Sequence, residues 1–233
     1  MMKIKLLSWN IWGGIMFPGI LGYLAETNAD IVALQEVCEE EGSNTAEKLA
    51  ERLGYQYCYA YNMDCLWEGK ATRRGNAILS KYPIRTMHHY ILSSVLPRTA
   101  IRGDIAIGNS VLHVISIHLV PHFPDTPHLQ REQVTSLVRD LPKEKTVIMG
   151  DMNNVPTSDP LTVMTQYFTD SDVRGVPTWC LYPDGPAHEK KESVVWKYDY
   201  ILSTSDLCVT DFAVGTSNAS DHLPVIAMLT LPE

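Results

Sequence analysis

Several apolar, strand-forming runs in this sequence end at a carboxylate, a carboxamide or an imidazole. The clearest example is the run 147–149, which leads through Gly150 to Asp151 and Asn153. An apolar run followed by glycine predicts a buried strand that ends at a turn, although Gly-Asp is also ordinary turn chemistry. On an extended backbone alternate side chains point the same way, so we expect Asp151 and Asn153 to share one side.

The same pattern recurs along the chain. Polar groups at or near the ends of other apolar runs are Asn10, Glu36, His118, Asp199, Asp221 and His222. A sheet that collects such groups at one rim forms an oxygen-rich pocket. Pockets of this kind select hard cations such as Mg²⁺ or Mn²⁺ over zinc.

In this order the polar segments resemble the endonuclease/exonuclease/phosphatase superfamily, the relatives of DNase I. The matching elements are Trp9-Asn10, Leu34-Gln35-Glu36-Val37, Gly75-Asn76-Ala77-Ile78-Leu79-Ser80, Ile117-His118-Leu119, Gly150-Asp151-Met152-Asn153, Tyr198-Asp199-Tyr200-Ile201 and Ser220-Asp221-His222-Leu223-Pro224-Val225. The resemblance implies a DNase I-like α/β fold, a four-layer α/β/β/α sandwich of two packed mixed sheets. It also implies a metal-dependent hydrolase of phosphate esters.

Composition agrees with one domain over residues 1–233. A chain of 233 residues with 45% hydrophobic content can bury a sizeable core, and no Gly/Ser-rich or Pro-rich linker divides it. No apolar run approaches the ~20 residues that span a bilayer. The N-terminus is too short and polar for a signal peptide, and the 5 cysteines are scattered. We therefore expect a cytoplasmic monomer with reduced thiols.

Hydrophobic spacing predicts an α/β chain. Helices are expected over residues 20–28, 45–53 and 127–141, with Ser43 or Asn44 as a cap for the second and Gly54 as its stop. Strands are expected over residues 1–9, 30–34, 56–60, 77–80, 100–107, 111–119, 146–149, 200–203, 209–215 and 225–231. Many strands with few helices between them predict two packed sheets with helices outside.

The candidate metal ligands are Glu36, Asn10 and Asp221. Phosphate-ester hydrolysis places water in line with the leaving oxygen while charge builds on the phosphoryl oxygens, and a divalent cation absorbs that charge. Glu36 is the first choice, because a carboxylate at the end of an apolar strand needs a partner or a metal. In the family the glutamate is the steadiest ligand, so we expect at least one Mg²⁺. The alternative for Glu36 is a surface salt bridge.

Asp151 is the candidate that orients and deprotonates the attacking water, with Asn153 positioning the same water or phosphate. His222 beside Asp199 resembles a carboxylate–imidazole pair, and His118 is a second phosphate-contacting candidate. Two mechanisms stay open. Either Asp151 is the base and a charged His222 stabilises the phosphoryl oxygens, or His222 itself takes the proton.

Each of these residues also has an ordinary structural interpretation. Asn10 and Asn153 suit turns, Asp199 suits local backbone bonding, and His118 suits a half-buried strand. Five other histidines fit no element of the pattern and are given no functional role: His88, His89, His113, His122 and His128. We interpret the pair Asp170 and Asp172 as a solvated turn.

The sequence says less about the substrate. A net charge of −8 argues against a global basic field for nucleic acid, although a local patch can suffice. Candidate patches are Lys70, Arg73 and Arg74 and, further along, Lys190, Lys191 and Lys197; each group could equally be solvated loop charges. We expect Arg73 and Arg74 to contact substrate and Asn76 to support the site by hydrogen bonding.

Aromatic residues in the predicted rim loops are Trp12, Trp67, Trp179 and Trp196. They could stack on a base or sugar, line an apolar pocket, or serve as packing anchors. Trp12 and Trp179 are the substrate-binding candidates. The segment 174–196, which is rich in Pro and Gly, is the predicted specificity element.

Departures from the common family pattern narrow the function. Lys197 precedes Tyr198-Asp199 where many relatives have an Arg-containing pair, and the segment 11–14 differs from that of abasic-site endonucleases. The expected function is therefore a phosphodiesterase acting on a nucleic acid or related phosphate ester. The alternatives are an enzyme similar to tyrosyl-DNA phosphodiesterases, or one similar to sphingomyelinases or inositol-phosphate phosphatases. An inactive binding module is disfavoured, because every catalytic position holds a competent residue.

Overall fold

The computed structural model describes residues 2–67, 70–93, 96–121, 128–179 and 196–231. Its helices are α1 (Phe17–Thr27), α2 (Thr45–Leu53), α3 (His128–Asp140) and α4 (Asp159–Thr165). Its strands are β1 (Met2–Asn10), β2 (Ile31–Glu40), β3 (Ser43–Asn44), β4 (Gln56–Trp67), β5 (Lys70–Ser80), β6 (Ile84–Ser93), β7 (Arg98–Ile107), β8 (Ser110–His118), β9 (Thr146–Asp151), β10 (Thr169–Asp170), β11 (Asp199–Ser203), β12 (Cys208–Val214) and β13 (Val225–Leu231). Among these residues no helix is long and apolar enough to cross a bilayer.

The described strands form two mixed sheets. The first has the order β12-β13-β1-β2-β5-β4, with β3 paired to β2, and the second has the order β10-β11-β9-β8-β7-β6. Each sheet has one parallel pair, β1 with β2 and β8 with β9, among antiparallel neighbours. Because β11 and β13 run antiparallel to β9 and β1, they begin at the rim where β9 and β1 end.

The core has three apolar layers, which confirm the predicted α/β/β/α sandwich. Residues such as Ile4, Ile78 and Ile105 are fully buried between the two sheets. The helices α1 and α2 bury Leu24 and Leu49 against the outer face of the first sheet. On the other side, α3 and α4 cover the second sheet with a similar apolar face.

Local sequence signals explain the helix ends. At α2 the side chain of Asn44 accepts a hydrogen bond from the Glu47 amide at 2.8 Å, and Gly54 closes the helix with φ of 73°. The predicted cap and stop are therefore confirmed. α1 begins earlier than predicted, because Pro18 is accommodated in its first turn.

Four of the elements above were not predicted, the strands β3, β6 and β10 and the helix α4. β3 and β10 have only 2 residues each. β6 is an edge strand with exposed residues on both faces, so its sequence lacks the alternation that reveals a half-buried strand. α4 has only 7 residues, too few to show a helical period. In addition, β2, β4 and β5 extend well beyond the predicted ranges.

The interpretation of Asp170 and Asp172 as a solvated turn was wrong. Lys197 is 3% exposed, and its Nζ lies 2.6 Å from Asp170 Oδ2 and 3.2 Å from Asp172 Oδ2. The ammonium also lies 4.4 Å from the centre of the Tyr200 ring. Lys197 is thus an internal ion-pair partner beside β11 and does not form a surface patch. Lys190 and Lys191 lie outside the described residues.

Gly150 permits the close approach of β8 and β9 at the end where the polar residues collect. Its φ is 154°, and a Cβ at this position would lie 1.9 Å from the carbonyl oxygen of Ile117. The obstruction is backbone, so it could be relieved only by moving one of the strands.

We predict that Gly150→Ala destabilises the protein by at least about 3 kcal/mol, because the added methyl group forces β8 and β9 apart. Urea unfolding measures the effect. Gly22→Ala is the matched control: it lies in α1 with nothing within 4 Å of the added Cβ, and we expect it to stabilise by about 0.5–1 kcal/mol. Equal stability of Gly150→Ala and the wild-type protein would contradict the close-contact argument.

Candidate active site

The carboxamide of Asn10 joins carboxylates from both sheets. Asn10 ends β1 and is 1% exposed; its Nδ2 donates to Asp151 Oδ2 at 3.1 Å and to Glu36 Oε1 at 3.3 Å. Its Oδ1 accepts from the Trp12 amide at 3.1 Å. The opposite amide orientation would set the oxygen against two carboxylates, so the nitrogen faces them. Asn10 therefore orients Asp151 and Glu36, and its oxygen is already engaged.

Glu36 reaches the rim through a bulge in β2. Leu34 pairs with Ala77 and Val37 with Gly75, so two residues of β2 stand opposite one residue of β5. Glu36 adopts φ of 54°, and a bulge of this kind turns a side chain away from its regular direction. Its Oε2 then lies 2.8 Å from Arg74 Nη1. Arg74 therefore forms an ion pair with Glu36 in this structure, and its predicted contact with a substrate stays a prediction.

Asp151 and Asn153 are brought together by a tight turn. Asn153 has φ of 48°, and its amide donates to Asp151 Oδ1 at 2.8 Å. The expected extended alternation of these two residues was therefore wrong, although they do share the site. Asn153 Nδ2 also lies 3.0 Å from His118 Nε2 and 3.0 Å from the Leu119 carbonyl oxygen.

His222 and Asp199 form the expected imidazole–carboxylate pair. His222 Nδ1 lies 2.9 Å from Asp199 Oδ2, and its Nε2 lies 3.5 Å from Asp151 Oδ2. Burial opposes charge on His222, but the carboxylates of Asp199 and then Asp151 outweigh it and raise the pKa well above its usual value. The imidazole is therefore charged near neutral pH.

Thr178 holds the carboxylate of this pair, and the sequence analysis missed it. Its hydroxyl donates to Asp199 Oδ2 at 2.7 Å and accepts from the amides of Tyr198 and Asp199 at 3.1 and 3.0 Å. Thr178 is completely buried. Its position directly before Trp179 was the available signal, because Trp179 had been selected as a rim residue.

The other titratable groups of the site have shifted pKa values as well. Burial raises the pKa of Asp151 to about 7, with His222 opposing and Asp199 adding to the shift. Burial lowers the pKa of His118 well below its usual value, and Arg98 and His222 lower it further. A neutral His118 can accept the hydrogen bond from Asn153 at Nε2, which agrees with the 3.0 Å distance.

These groups face a pocket of about 380 Å³. Its walls include the predicted residues Glu36, His118, Asp151, Asn153, Trp179, Asp221 and His222. They also include Arg98, Pro121 and Tyr198, which the sequence analysis did not select. The rings of Trp179 and Tyr198 lie 5.6 Å apart and form one aromatic wall.

Some predicted substrate-binding residues lie elsewhere. Arg73 is on the other face of β5, where it pairs with Glu39 at 3.3 Å and Asp64 at 3.1 Å. Asn76 is fully buried opposite the β2 bulge, and its Nδ2 donates to the Thr99 carbonyl oxygen at 2.7 Å. Trp12 lies in the turn after β1, and it is not among the residues that line the pocket.

Two groups of possible metal ligands lie in or next to the pocket. Within the described chain, ligand atoms of Asp151, Asp199 and His222 lie within 4.8 Å of one another. His222 is charged and bonded to Asp199, which makes it a poor ligand. Glu36 and Asp221 line the same pocket as Asp151, and carboxylate oxygens of this kind are the donors that Mg²⁺ and Mn²⁺ prefer.

The sandwich fold and this polar rim define a DNase I-like hydrolase. The model of the Endonuclease/Exonuclease/phosphatase family matches residues 7–222, so the chain belongs to that family. No curated protein matches the sequence significantly.

Solved structures show the same fold at low sequence identity. The endonuclease/exonuclease/phosphatase from Beutenbergia cavernae is 18% identical with a TM-score of 0.81, over 99% of this chain and 72% of that one. The protein of the same description from Bacteroides vulgatus is 17% identical with a TM-score of 0.79, over 100% of both chains. A mannosyl-6-phosphatase from Bacteroides thetaiotaomicron is 18% identical with a TM-score of 0.70, over 98% of this chain and 100% of that one.

We predict that Asp199→Asn lowers the pKa of His222 more than Asp151→Asn does, and that Asp221→Asn has the smallest effect. The order follows the electrostatic contributions of the three carboxylates to the imidazolium. An NMR titration of the His222 ring in chelator-treated protein measures the pKa of each variant. A shift in Asp221→Asn as large as that in Asp199→Asn would refute the proposed pairing.

Proposed function

We propose that this protein is a divalent-metal-dependent phosphoesterase that hydrolyses a phosphodiester, in a nucleic acid or related phosphate ester, by in-line attack of water. The observation that carries the proposal is the position of Asp151. This buried carboxylate lies within hydrogen-bond distance of Asn10, near charged His222, and on the same pocket as Glu36. Asp151 as the base, His222 as the cation and Glu36 as a separate oxygen donor, all at one pocket, suit phosphoryl transfer.

Glu36 is the proposed principal ligand for Mg²⁺ or Mn²⁺, with Asp221 as a second oxygen donor. Such an ion supplies Lewis-acid stabilisation of charge on the phosphoryl oxygens. The bulge of β2 presents Glu36 to the pocket, and Arg74 holds one of its oxygens at 2.8 Å. We propose that Asn10 supports this ligand through its Nδ2, which differs from the direct ligation that the sequence suggested.

Asp151 is the proposed base. Its Oδ1 is held by the Asn153 amide at 2.8 Å, and its Oδ2 by Asn10 at 3.1 Å, so the carboxylate has a fixed orientation. His222 is charged before substrate arrives because of its two carboxylate neighbours, and it therefore has no free capacity to accept a further proton. This favours Asp151 as the group that orients and deprotonates water, with the imidazolium stabilising the phosphoryl oxygens.

His118 and Asn153 are proposed to position the site. His118 is buried and neutral, and its Nε2 is engaged by Asn153. Asn153 in turn donates its amide to Asp151. Through this chain of bonds His118 fixes the turn after β9, and with it the direction of the Asp151 carboxylate.

A phosphomonoesterase is the second candidate. The site is a small pocket of about 380 Å³ with one aromatic wall, and Arg73 of the expected basic patch is turned away from it. Among the residues that the structure describes, no basic track leads away from this compact pocket, which favours a small phosphate ester over a long nucleic acid. The structurally similar protein named a mannosyl-6-phosphatase is consistent with this alternative. An activity similar to that of tyrosyl-DNA phosphodiesterases also fits a compact pocket, because the enzyme needs to contact only the end of the nucleic acid.

We predict that Asp151→Asn lowers turnover roughly 10²–10⁴-fold, because it removes the base while preserving the shape of the side chain. Turnover is measured with Mg²⁺ over single-stranded and abasic DNA, RNA, a 5′-phosphotyrosyl oligonucleotide, sphingomyelin, an inositol phosphate and a hexose 6-phosphate. Asp140→Asn, an exposed carboxylate at the end of α3, is the matched control and should retain full activity.

Glu36→Gln tests the metal assignment separately. We expect it to weaken Mg²⁺ binding in calorimetry, since a neutral amide replaces the charged ligand, whereas Asp140→Asn should bind Mg²⁺ normally. Turnover that survives a chelator would contradict the metal requirement. Normal turnover by a folded Asp151→Asn variant would contradict the role of Asp151.

A further inference from the structure

Arg98 lies on a wall that two cavities share. It begins β7, and it lines both the catalytic pocket and a narrow crevice of about 30 Å³ beside it. His118 and Glu36 line both cavities as well, so the crevice opens along the same wall. A ligand in the pocket can therefore reach the guanidinium without leaving the site.

The hydrogen-bond partners of Arg98 are neutral. Its Nε donates to the Leu119 carbonyl oxygen at 3.5 Å, and its Nη1 donates to the Pro97 carbonyl oxygen at 3.4 Å and to Met63 Sδ at 3.5 Å. The two bonds to carbonyl oxygens are long and therefore weak, and a thioether sulfur is a weak acceptor. Among the described residues, none of the ion pairs includes Arg98, in contrast to Arg74, which pairs with Glu36 at 2.8 Å.

A bound anion would stabilise the charge of a guanidinium in this position. Burial lowers the pKa of Arg98, with Glu36 and then Asp151 opposing the shift and Arg74 adding to it, and the group remains protonated. The carboxylates across the site have closer cationic partners, Arg74 for Glu36 and His222 for Asp151. Arg98 is thus a partly desolvated positive charge whose planar donors match an oxyanion.

The neighbours of Arg98 in the crevice are compatible with an anion. His118 is neutral and therefore adds no charge of either sign. The crevice also contains the carboxylate of Glu36, whose charge is paired with Arg74 at 2.8 Å. Asn62 Oδ1 is buried and has no hydrogen-bond partner among the described residues. Because no internal bond fixes that oxygen, the carboxamide can turn its NH₂ group toward a ligand.

We propose that Arg98, with Asn62 and His118 beside it, forms an anion subsite that holds a second phosphate group of the substrate, next to the ester phosphate that is hydrolysed. The substrate class is then a bisphosphate or a phosphate ester that carries a neighbouring phosphate. This inference rests on the proposed function, and it names the part of the substrate that the catalytic residues do not contact.

Binding of two matched ligands tests the subsite. Propane-1,3-diyl bisphosphate and propyl phosphate differ only in the second phosphate, and calorimetry with Mg²⁺-loaded protein measures their Kd values. We expect the wild type to bind the bisphosphate roughly tenfold or more tightly than propyl phosphate, since a charge-assisted bidentate bond is gained. Arg98→Met should abolish this preference, and Arg98→Lys should retain part of it.

Controls separate the subsite from other effects. Arg131→Met changes an arginine on α3 that pairs with Asp159, and it should keep the full preference. Thermal denaturation of each variant verifies that the fold is intact. A wild type without a preference would overturn the proposal. So would an equal loss of affinity for both ligands in Arg98→Met, because Arg98 would then contact the ester phosphate itself.

Hydrolysis of the same ligands distinguishes the two proposals. If the wild type prefers the bisphosphate, and the preference depends on Arg98 while neither ligand nor any panel substrate is hydrolysed, the subsite is supported and the phosphoesterase proposal fails. If esters are hydrolysed without any preference for a second phosphate, the phosphoesterase proposal is supported and the subsite is refuted.

Discussion

The alignment of the two sheets at one rim is the constraint on which the rest of this structure depends. The hydrogen bond from Asn10 to Asp151, at 3.1 Å, joins β1 of the first sheet to β9 of the second. Beneath it, buried Ser116 of β8 donates to the Leu34 carbonyl oxygen at 3.0 Å and accepts from Gln35 Nε2 at 3.1 Å. Apolar packing alone tolerates sliding, whereas buried polar groups tolerate only arrangements that satisfy them. These bonds therefore fix the register in which residues of both sheets converge on one pocket.

Burial divides charge unequally among the groups of this pocket. The carboxylates of Asp199 and Asp151 outweigh burial and raise the pKa of His222, whereas burial, with Arg98 and His222 adding to it, lowers the pKa of His118. Two histidines that are equally buried thus acquire different protonation states because their charged neighbours differ. The same low-polarity surroundings raise the pKa of Asp151, so the proposed base keeps affinity for a proton near neutral pH. The surroundings of Asp151, His222 and His118 thus decide which of these groups accepts a proton and which carries positive charge.

Much of the fold and site could be predicted, because hydrophobic period and strand-end polarity are local signals. The ends of β1, β8 and β9 and the helix α2 follow directly from them. Glu36 reaches the pocket only through a bulge at which its own φ is positive, and the local sequence does not predict this bulge. Buried Lys197 resembled a surface charge, since its partners lie about 25 residues earlier in the chain. The roles of Arg98 and Thr178 likewise depend on tertiary contacts, which cannot be predicted from single sequence segments.

The pairing of Trp179 with Trp196 has a consequence for how such a protein can diversify. The amides of Thr178 and Trp179 both donate to the Trp196 carbonyl oxygen, at 2.9 and 3.0 Å, so Trp179 and Trp196 are neighbours in space although they are far apart in the sequence. Doubling the length of a segment between such points costs only about 0.6 kcal/mol in closure entropy. Insertions or deletions between them need not displace Asp199 or His222. Evolution or protein engineering can therefore replace the residues between Trp179 and Trp196 while Asp199 and His222 keep their positions.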